Sequence, residues 1–407
     1  MERRFVLFMV AGVVLGFVAG ALFPSFSLHF SVLGELFLKA LKMVVLPLIV
    51  ASIINAILGM ERIERFKSIG LRALLYYTTT TALAVITGLF TVIFLKPGIG
   101  ISLSLTENLV KEVNFSLKDL LLSLIPENVF KALSNFDVLP VIVSTVLFSL
   151  AALTVELREG LFLKRLAQEV EVILMKLTKW IINFAPLGVS SLIASKIASL
   201  GGFTALKPIF LSLGKYILTV LFALSVHAFI TLPLLYFLFT RKNPYSLILK
   251  VKEALITAFA TASSSATLPV TLERSVSSGV RKEVAQFTLP LGATVNMDGT
   301  ALYEAVAAVF LAQAYGIDLS TFQYFVIFLT ATLAAIGAAG IPEAGLVTMV
   351  LVLQSVGIPA EGIGLILAVD WFLDRCRTAV NILGDIIGAA VISTRLERKD
   401  DRFSVRP

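Results

Sequence analysis

The sequence predicts an all-α polytopic membrane protein, with eight transmembrane helices and two opposed re-entrant helical hairpins arranged as inverted repeats. Three observations predict it. First, 57% of the 407 residues are hydrophobic and 15% are charged, with a mean hydropathy of +0.94; soluble domains are about 45–50% apolar and about 25% charged. Second, basic residues gather at alternate ends of the apolar runs. Arg3 and Arg4 precede the first, Arg62, Arg65, Lys67 and Arg72 follow the second, and Arg158, Lys164 and Arg165 follow the fourth. Arg241, Lys242, Lys250 and Lys252 follow the sixth, Arg281 and Lys282 precede the seventh, and Arg395, Arg398 and Lys399 follow the eighth. The positive-inside rule then places both termini in the cytoplasm and the chain in the cell membrane. Third, two apolar segments are too short to cross and are interrupted by small residues.

In order, span one covers 5–23. Its apolar run is longer than the roughly 7–15 residues of a secretory signal. Span two covers 32–58, with Lys39 and Lys42 inside it, and span three covers 70–95 with the run Tyr76-Tyr77-Thr78-Thr79-Thr80-Thr81. Such hydroxyls either bond back to their own helix or ligate a hard cation. Residues 97–128 read as an extracellular segment. Span four, 129–155, is interrupted by Pro140, span five, 166–198, by Pro186 and Gly188, and span six covers 207–240. The net charge of +7 flanks spans, which gives a nucleic-acid partner no support. His29 and His227 stand alone in apolar surroundings and suggest neither a metal site nor a base, and the single Cys376 reads as a small apolar filler.

After Lys252 come a short arm, Ala254–Ala260, a serine-rich tip from Thr261 to Pro269, and a second arm to Ser278. Neither arm reaches the ~20 residues needed to cross, so the segment reads as a hairpin entering from the cytoplasm. The device returns as Phe322–Ala335, a tip at Gly337–Gly345, and Leu346–Val356, entering from outside. Paired interruptions in an inverted arrangement point to a transporter's midplane site. Between them span seven, 284–315, holds Asn296 and Asp298 bracketed by Gly292 and Gly299. That composition suits a locally unwound segment offering carbonyl and carboxylate oxygen to a hard cation such as Na⁺. Pairing of Asp298 with Arg375 or Arg377 is the alternative.

Span eight, 368–391, concentrates charge. At about 100° per residue from Asp370, Asp374 falls near 40°, Arg377 near −20°, Thr378 near 80°, Asn381 near 20° and Asp385 near 60°. These six groups share one face, while Arg375 lies off it at about 140°. Buried charge of this extent faces protein, water or a ligand. It fits a ligand carrying both signs.

The runs SSSATLPVT (263–271), ATVNMDGTALYEA (293–305), AAIGAAGIP (334–342) and DWFLDRCRTAVNILGD (370–385) together resemble the glutamate/aspartate transporter family, the sodium-coupled dicarboxylate and amino-acid symporters. The likeness covers nearly the whole chain. It implies an elevator-type homotrimer in which a transport domain moves against a scaffold. Scaffold parts would be 1–67 and 129–205, and transport parts 68–128 (with the extracellular linker) and 206–395, followed by a cytoplasmic tail, 396–407. The resemblance implies a substrate site at Ser263, Ser264, Thr300, Ile341, Gly345, Asp374, Arg377, Thr378 and Asn381. It implies one sodium site at Gly292, Asn296, Asn381 and Asp385, a second at carbonyls of Thr294, Ala335, Ile336 and Ala338, and a third at Tyr77, Thr80, Thr81, Asn296 and Asp298.

Arg377 is suited to fork onto a carboxylate and Asp374 to pair with an α-ammonium. Glu304 matches the mammalian pattern tied to proton co-transport and potassium counter-transport, or is a structural acid paired with Arg375. Asp370 has no implied ligand. Glu343 departs from the family pattern. The expected activity is sodium-driven uptake of L-aspartate and/or L-glutamate. A C4-dicarboxylate symporter and an ion channel are the rivals. The serine run has no His or Lys partner in a recognisable motif, which speaks against an intramembrane protease and any enzyme.

Overall fold

The computed structural model describes residues 2–58, 67–100, 122, 125–135, 138–159, 162–336 and 344–404. Among these residues every regular element is helical. The chain begins with α1 (Glu2–Leu22), α2 (Pro24–His29), α3 (Ser31–Leu58) and α4 (Lys67–Leu95). It continues through α5 (Val129–Asn135), α6 (Val138–Glu159), α7 (Phe162–Asn183), α8 (Ala185–Ser199), α9 (Leu206–Val226) and α10 (Leu232–Thr240). The last part holds α11 (Pro244–Lys250), α12 (Lys252–Thr261), α13 (Ser264–Ser277), α14 (Lys282–Val295), α15 (Asp298–Tyr315), α16 (Thr321–Ile336), α17 (Ala344–Ser355) and α18 (Ile363–Ser404).

Among the described residues, Ile69–Leu95, Gly202–Thr240 and Ala360–Leu396 are helices long and apolar enough to cross a membrane. The shorter apolar stretches Val10–Leu22, Leu46–Asn55 and Pro140–Ala152 lie inside other expected spans.

Prolines set the breaks, but not always where the sequence pattern put them. Pro140 stands in the first turn of α6, where its missing N–H has no helical partner to lose. The break in span five falls at Phe184, and Pro186 likewise opens α8. Span six, read as continuous, contains a π-turn at His227–Thr231 just before Pro233. Pro233 has no N–H to give the carbonyl of Phe229, four residues back. The Tyr245 hydroxyl on α11 donates to that carbonyl instead, at 2.9 Å.

Two groups of helices pack internally. In the first, α1 lies along α8, and α3 packs on α6, α7 and α8. Gly12, Gly16 and Gly20 make the α1–α8 contact backbone to backbone; a Cβ at Gly16 would stand 2.7 Å from the Ser190 carbonyl oxygen. Ser191 ties α8 to the α2–α3 corner, donating to Phe30 O at 2.6 Å and accepting from Gly34 N at 3.0 Å. In the second group α15 is the axis, touched by α4, α9, α16, α17 and α18. All its residues except Gln313 are buried. A helix apolar on every side needs walls on every side.

The outer faces are apolar too. Phe90 and Phe94 on α4 are 72% and 85% exposed, as a lipid-facing surface requires. The helices of the first expected hairpin, α12 and α13, have 10 and 14 residues and pack against each other and α18. Their junction is Ala262, in the left-handed region (φ 48°), followed by Ser263, whose side chain caps α13. The second pair, α16 and α17, has 16 and 12 residues, and its tip lies outside the described residues.

Candidate functional site

The helix expected to unwind does so. α14 ends at Val295, α15 begins at Asp298, and between them Asn296 (φ −101°, ψ 80°) and Met297 (φ −107°, ψ 56°) leave the helical region. Neither asparagine nor a glycine-flanked aspartate favours a helix interior. One turn earlier, Gly292 faces α18 and α4. A Cβ there would collide with Asp385 Oδ1 and stand 3.0 Å from the Tyr77 hydroxyl. Glycine is what lets a carboxylate approach this backbone.

Around the break lies an oxygen-rich cluster. Asp298 is fully buried; its Oδ1 accepts from Thr81 Oγ1 at 2.7 Å, and its Oδ2 lies 3.2 Å from His227 Nε2. Asn296 accepts from Thr80 Oγ1 at 3.1 Å and donates through Nδ2 to Asp385 Oδ1 at 2.9 Å. The Tyr77 hydroxyl donates to Thr288 O at 2.9 Å. Asp385 Oδ2 is buried without a hydrogen-bond partner. A buried carboxylate oxygen left alone is costly, and a bound cation would satisfy it. The donors are carboxylate, amide, hydroxyl and carbonyl oxygen, which suits Na⁺ as cargo. Among the described residues no three His, Cys, Asp or Glu side chains form the kind of cluster a transition metal would need.

Hydroxyls of this run bond back to their own helix, Thr80 to Tyr77 O at 3.0 Å among them, and two also reach across to α15 and the break before it. Thr79 bonds back to Leu75 O at 2.7 Å, and Thr80 and Thr81 are the two that reach Asn296 and Asp298. For the second expected cation set, Thr294 lies in the last turn of α14 and Ala335 and Ile336 in the last turn of α16. These helices touch, and carbonyl ends of helices favour cations. Ala338 and Glu343 lie outside the described residues.

The polar stripe of α18 is buried: Asp370, Asp374, Arg377, Thr378, Asn381 and Asp385 all lie inside. Arg377 Nη2 donates to Asp374 Oδ1 at 2.7 Å, and Nη1 stands 2.9 Å from Asp370 Oδ1 in an ion pair. The guanidinium covers the Tyr303 ring at 3.8 Å, a cation–π contact between two fully buried side chains. Thr378 bonds back to Asp374 O at 2.8 Å. Asn381 accepts from Gly299 N at 2.7 Å and donates to Thr300 Oγ1 at 3.2 Å, bracing α18 against the first turn of α15.

Gly345 brings the start of α17 in. A Cβ on it would lie 3.0 Å from Thr300 Cγ2 and 3.4 Å from Arg377 Nη1. Ser263 and Ser264 lie at the junction of α12 and α13, both buried, with Ser263 Oγ accepting from Ala266 N at 3.2 Å. Ile341 lies outside the described residues.

Residues 5–395 match the sodium:dicarboxylate symporter family. The chain belongs to that family. It is 39% identical to excitatory amino acid transporter 3 of Mus musculus over 96% of this chain and 85% of the relative. It is 40% identical to an excitatory amino acid transporter of Caenorhabditis elegans over 94% of this chain and 86% of the relative. It is 36% identical to neutral amino acid transporter B(0) of Mus musculus over 96% of this chain and 80% of the relative. Family and relatives are transporters, not enzymes, and sodium symport is in the family's name.

Three members of this symporter's site escaped the sequence pattern. His227, read as isolated, faces Asp298 from the π-turn, so Asp298 pairs with neither Arg375 nor Arg377. Pro233, six residues on, was the available signal that span six is distorted there. Tyr303 floors the guanidinium, and Thr348 on α17 donates to Glu304. Glu304 is therefore engaged across helices by a hydroxyl rather than by Arg375. Arg375 instead donates to the carbonyls of Phe259 and Ala260 at the end of α12, where a cation complements the helix terminus. Asp370, left without a role by the sequence, is the second carboxylate of Arg377.

Proposed function

We propose that this chain is a secondary active symporter taking up acidic amino acids, L-aspartate and/or L-glutamate, driven by the sodium gradient. The observation that carries it is the buried Arg377–Asp374 pair, with the orphaned Asp385 oxygen about two turns further along the same helix. A zwitterion with an acidic side chain can split that pair without stranding a charge: its ammonium takes Asp374 and its side-chain carboxylate takes Arg377. A C4-dicarboxylate brings no cation for Asp374, so the amino acid is the better fit. The relatives' names support the same substrate class.

Ser263, Ser264, Thr300, Ile341, Gly345, Thr378 and Asn381 complete the substrate shell. Sodium takes the oxygens of Gly292, Asn296, Asn381 and Asp385, those of Tyr77, Thr80, Thr81, Asn296 and Asp298, and the carbonyls of Thr294, Ala335, Ile336 and Ala338. Glu304 serves proton and potassium coupling. In this reading the chain has eight spans, two re-entrant hairpins and cytoplasmic termini. It assembles as a homotrimer whose transport domains slide against a fixed scaffold, elevator fashion. The second hairpin closes readily when the sites are empty or full and poorly with sodium alone; a ligand acts on that equilibrium only through its differential affinity.

The test is uptake of labelled aspartate and glutamate into proteoliposomes under separate sodium, proton and potassium gradients. An inward sodium gradient is expected to drive accumulation. Equal uptake with and without it would overturn sodium coupling. Indifference to internal potassium and external pH would remove the role given to Glu304.

A further inference from the structure

Outside the transport path, the end of α10 and α11, the α13–α14 turn and α18 enclose a cavity of about 250 Å³. Among the described residues its lining includes Lys242, Ser246, Lys250, Ser278, Gly279 and Thr394, and no carboxylate. Among the described residues neither lysine has an ion-pair partner. Two ammonium groups lining one recess with hydroxyls offer a compact anion charge and hydrogen-bond donors.

The surface beside the cavity says which anion. On α11, Ser246 and Lys250 are four residues apart and line the recess. Tyr245 and Leu249, one position earlier each, are exposed on the next face, and Leu247 is buried. Leu234 and Leu238, four residues apart on α10, are exposed as well. Lys250 in the last turn of α11 and Lys242 just before the helix therefore stand beside exposed apolar side chains, a combination suited to the membrane interface. The charge pattern of the sequence puts α11 on the cytoplasmic side, where anionic lipid attracts basic residues.

We propose that this cavity binds the phosphate of an anionic phospholipid headgroup, with the acyl chains running along Leu234, Leu238 and Leu249. The lysines come from the α10–α11 segment, whereas Ser278 comes from the α13–α14 turn and Thr394 from the last third of α18. One lipid thus joins three segments of the helix group that carries the substrate site.

The test is native mass spectrometry of the full-length protein with phosphatidylglycerol and phosphatidylcholine, comparing Lys242→Gln/Lys250→Gln with the charge-matched control Lys252→Gln/Lys282→Gln. Phosphatidylglycerol retention is expected to fall about tenfold in the first pair, to persist in the control, and to return in Lys242→Arg/Lys250→Arg. Retention unchanged in the first pair, or lost equally in both, overturns the site. A further arm adds inorganic phosphate at millimolar concentration. Phosphate bound through the two lysines with no preference for phosphatidylglycerol overturns the lipid assignment in favour of a free-anion site.

Discussion

At Arg377 a guanidinium meets two carboxylates and an aromatic face at once, fully buried. An entering carboxylate has to take Nη2 from Asp374, and it can do so cheaply only if Asp374 is given another cation. Arg377→Cys removes the fork, so acidic substrates are expected to lose about a hundredfold in apparent affinity while neutral amino acids still enter. Competition uptake with aspartate against serine and alanine reads this directly. Unchanged aspartate affinity would remove Arg377 from the site. Of this cluster the sequence already disclosed the charged members, because charge on an apolar helix is conspicuous. Tyr303 and Thr348 were not legible in the same way. An aromatic ring and a hydroxyl in apolar runs usually serve packing, and only the fold brings them to Arg377 and Glu304.

At the level of elements, the site is built from interruptions. The α14–α15 break, the α12–α13 junction and the π-turn before α10 each free or redirect backbone that a continuous helix would consume. The first two were readable as clusters of small and polar residues. The third was marked only by Pro233, which sits in a run otherwise suited to a span and by itself signals a distortion without saying that it is a π-turn. Pro140 shows the converse, a proline that looks like a break and is absorbed in a first turn. Gly292 tests the element view. Gly292→Ala forces its methyl against the Asp385 carboxylate, in a place with little room to yield. The apparent sodium affinity of uptake is expected to weaken by about tenfold or more, with a destabilisation of about 1–3 kcal/mol. A sodium titration identical to that of the parent protein would show that Asp385 does not need this close approach.

Across the whole molecule, the group built on α1, α3 and α8 meets the group around α15 along few lines, among them α8 with α18. There a Cβ placed on Gly364 would lie 2.7 Å from Leu192 Cβ. If the two groups slide during transport, Leu192→Cys with Gly364→Cys, in a Cys376→Ala background, is expected to form a disulfide after a separation of about 1 Å. Oxidation would then stop uptake and reduction restore it. Full uptake with the bond formed would end the sliding hypothesis. The enclosure of α15 carries one more consequence, for how the protein is made. Asp298 and Glu304 are tolerable because α4, α9, α16, α17 and α18 surround them, yet α16, α17 and α18 leave the ribosome after α15 does. This acidic stretch of the interior is therefore synthesised before most of its walls, so the helix cannot settle in order of translation and has to await the helices that follow it.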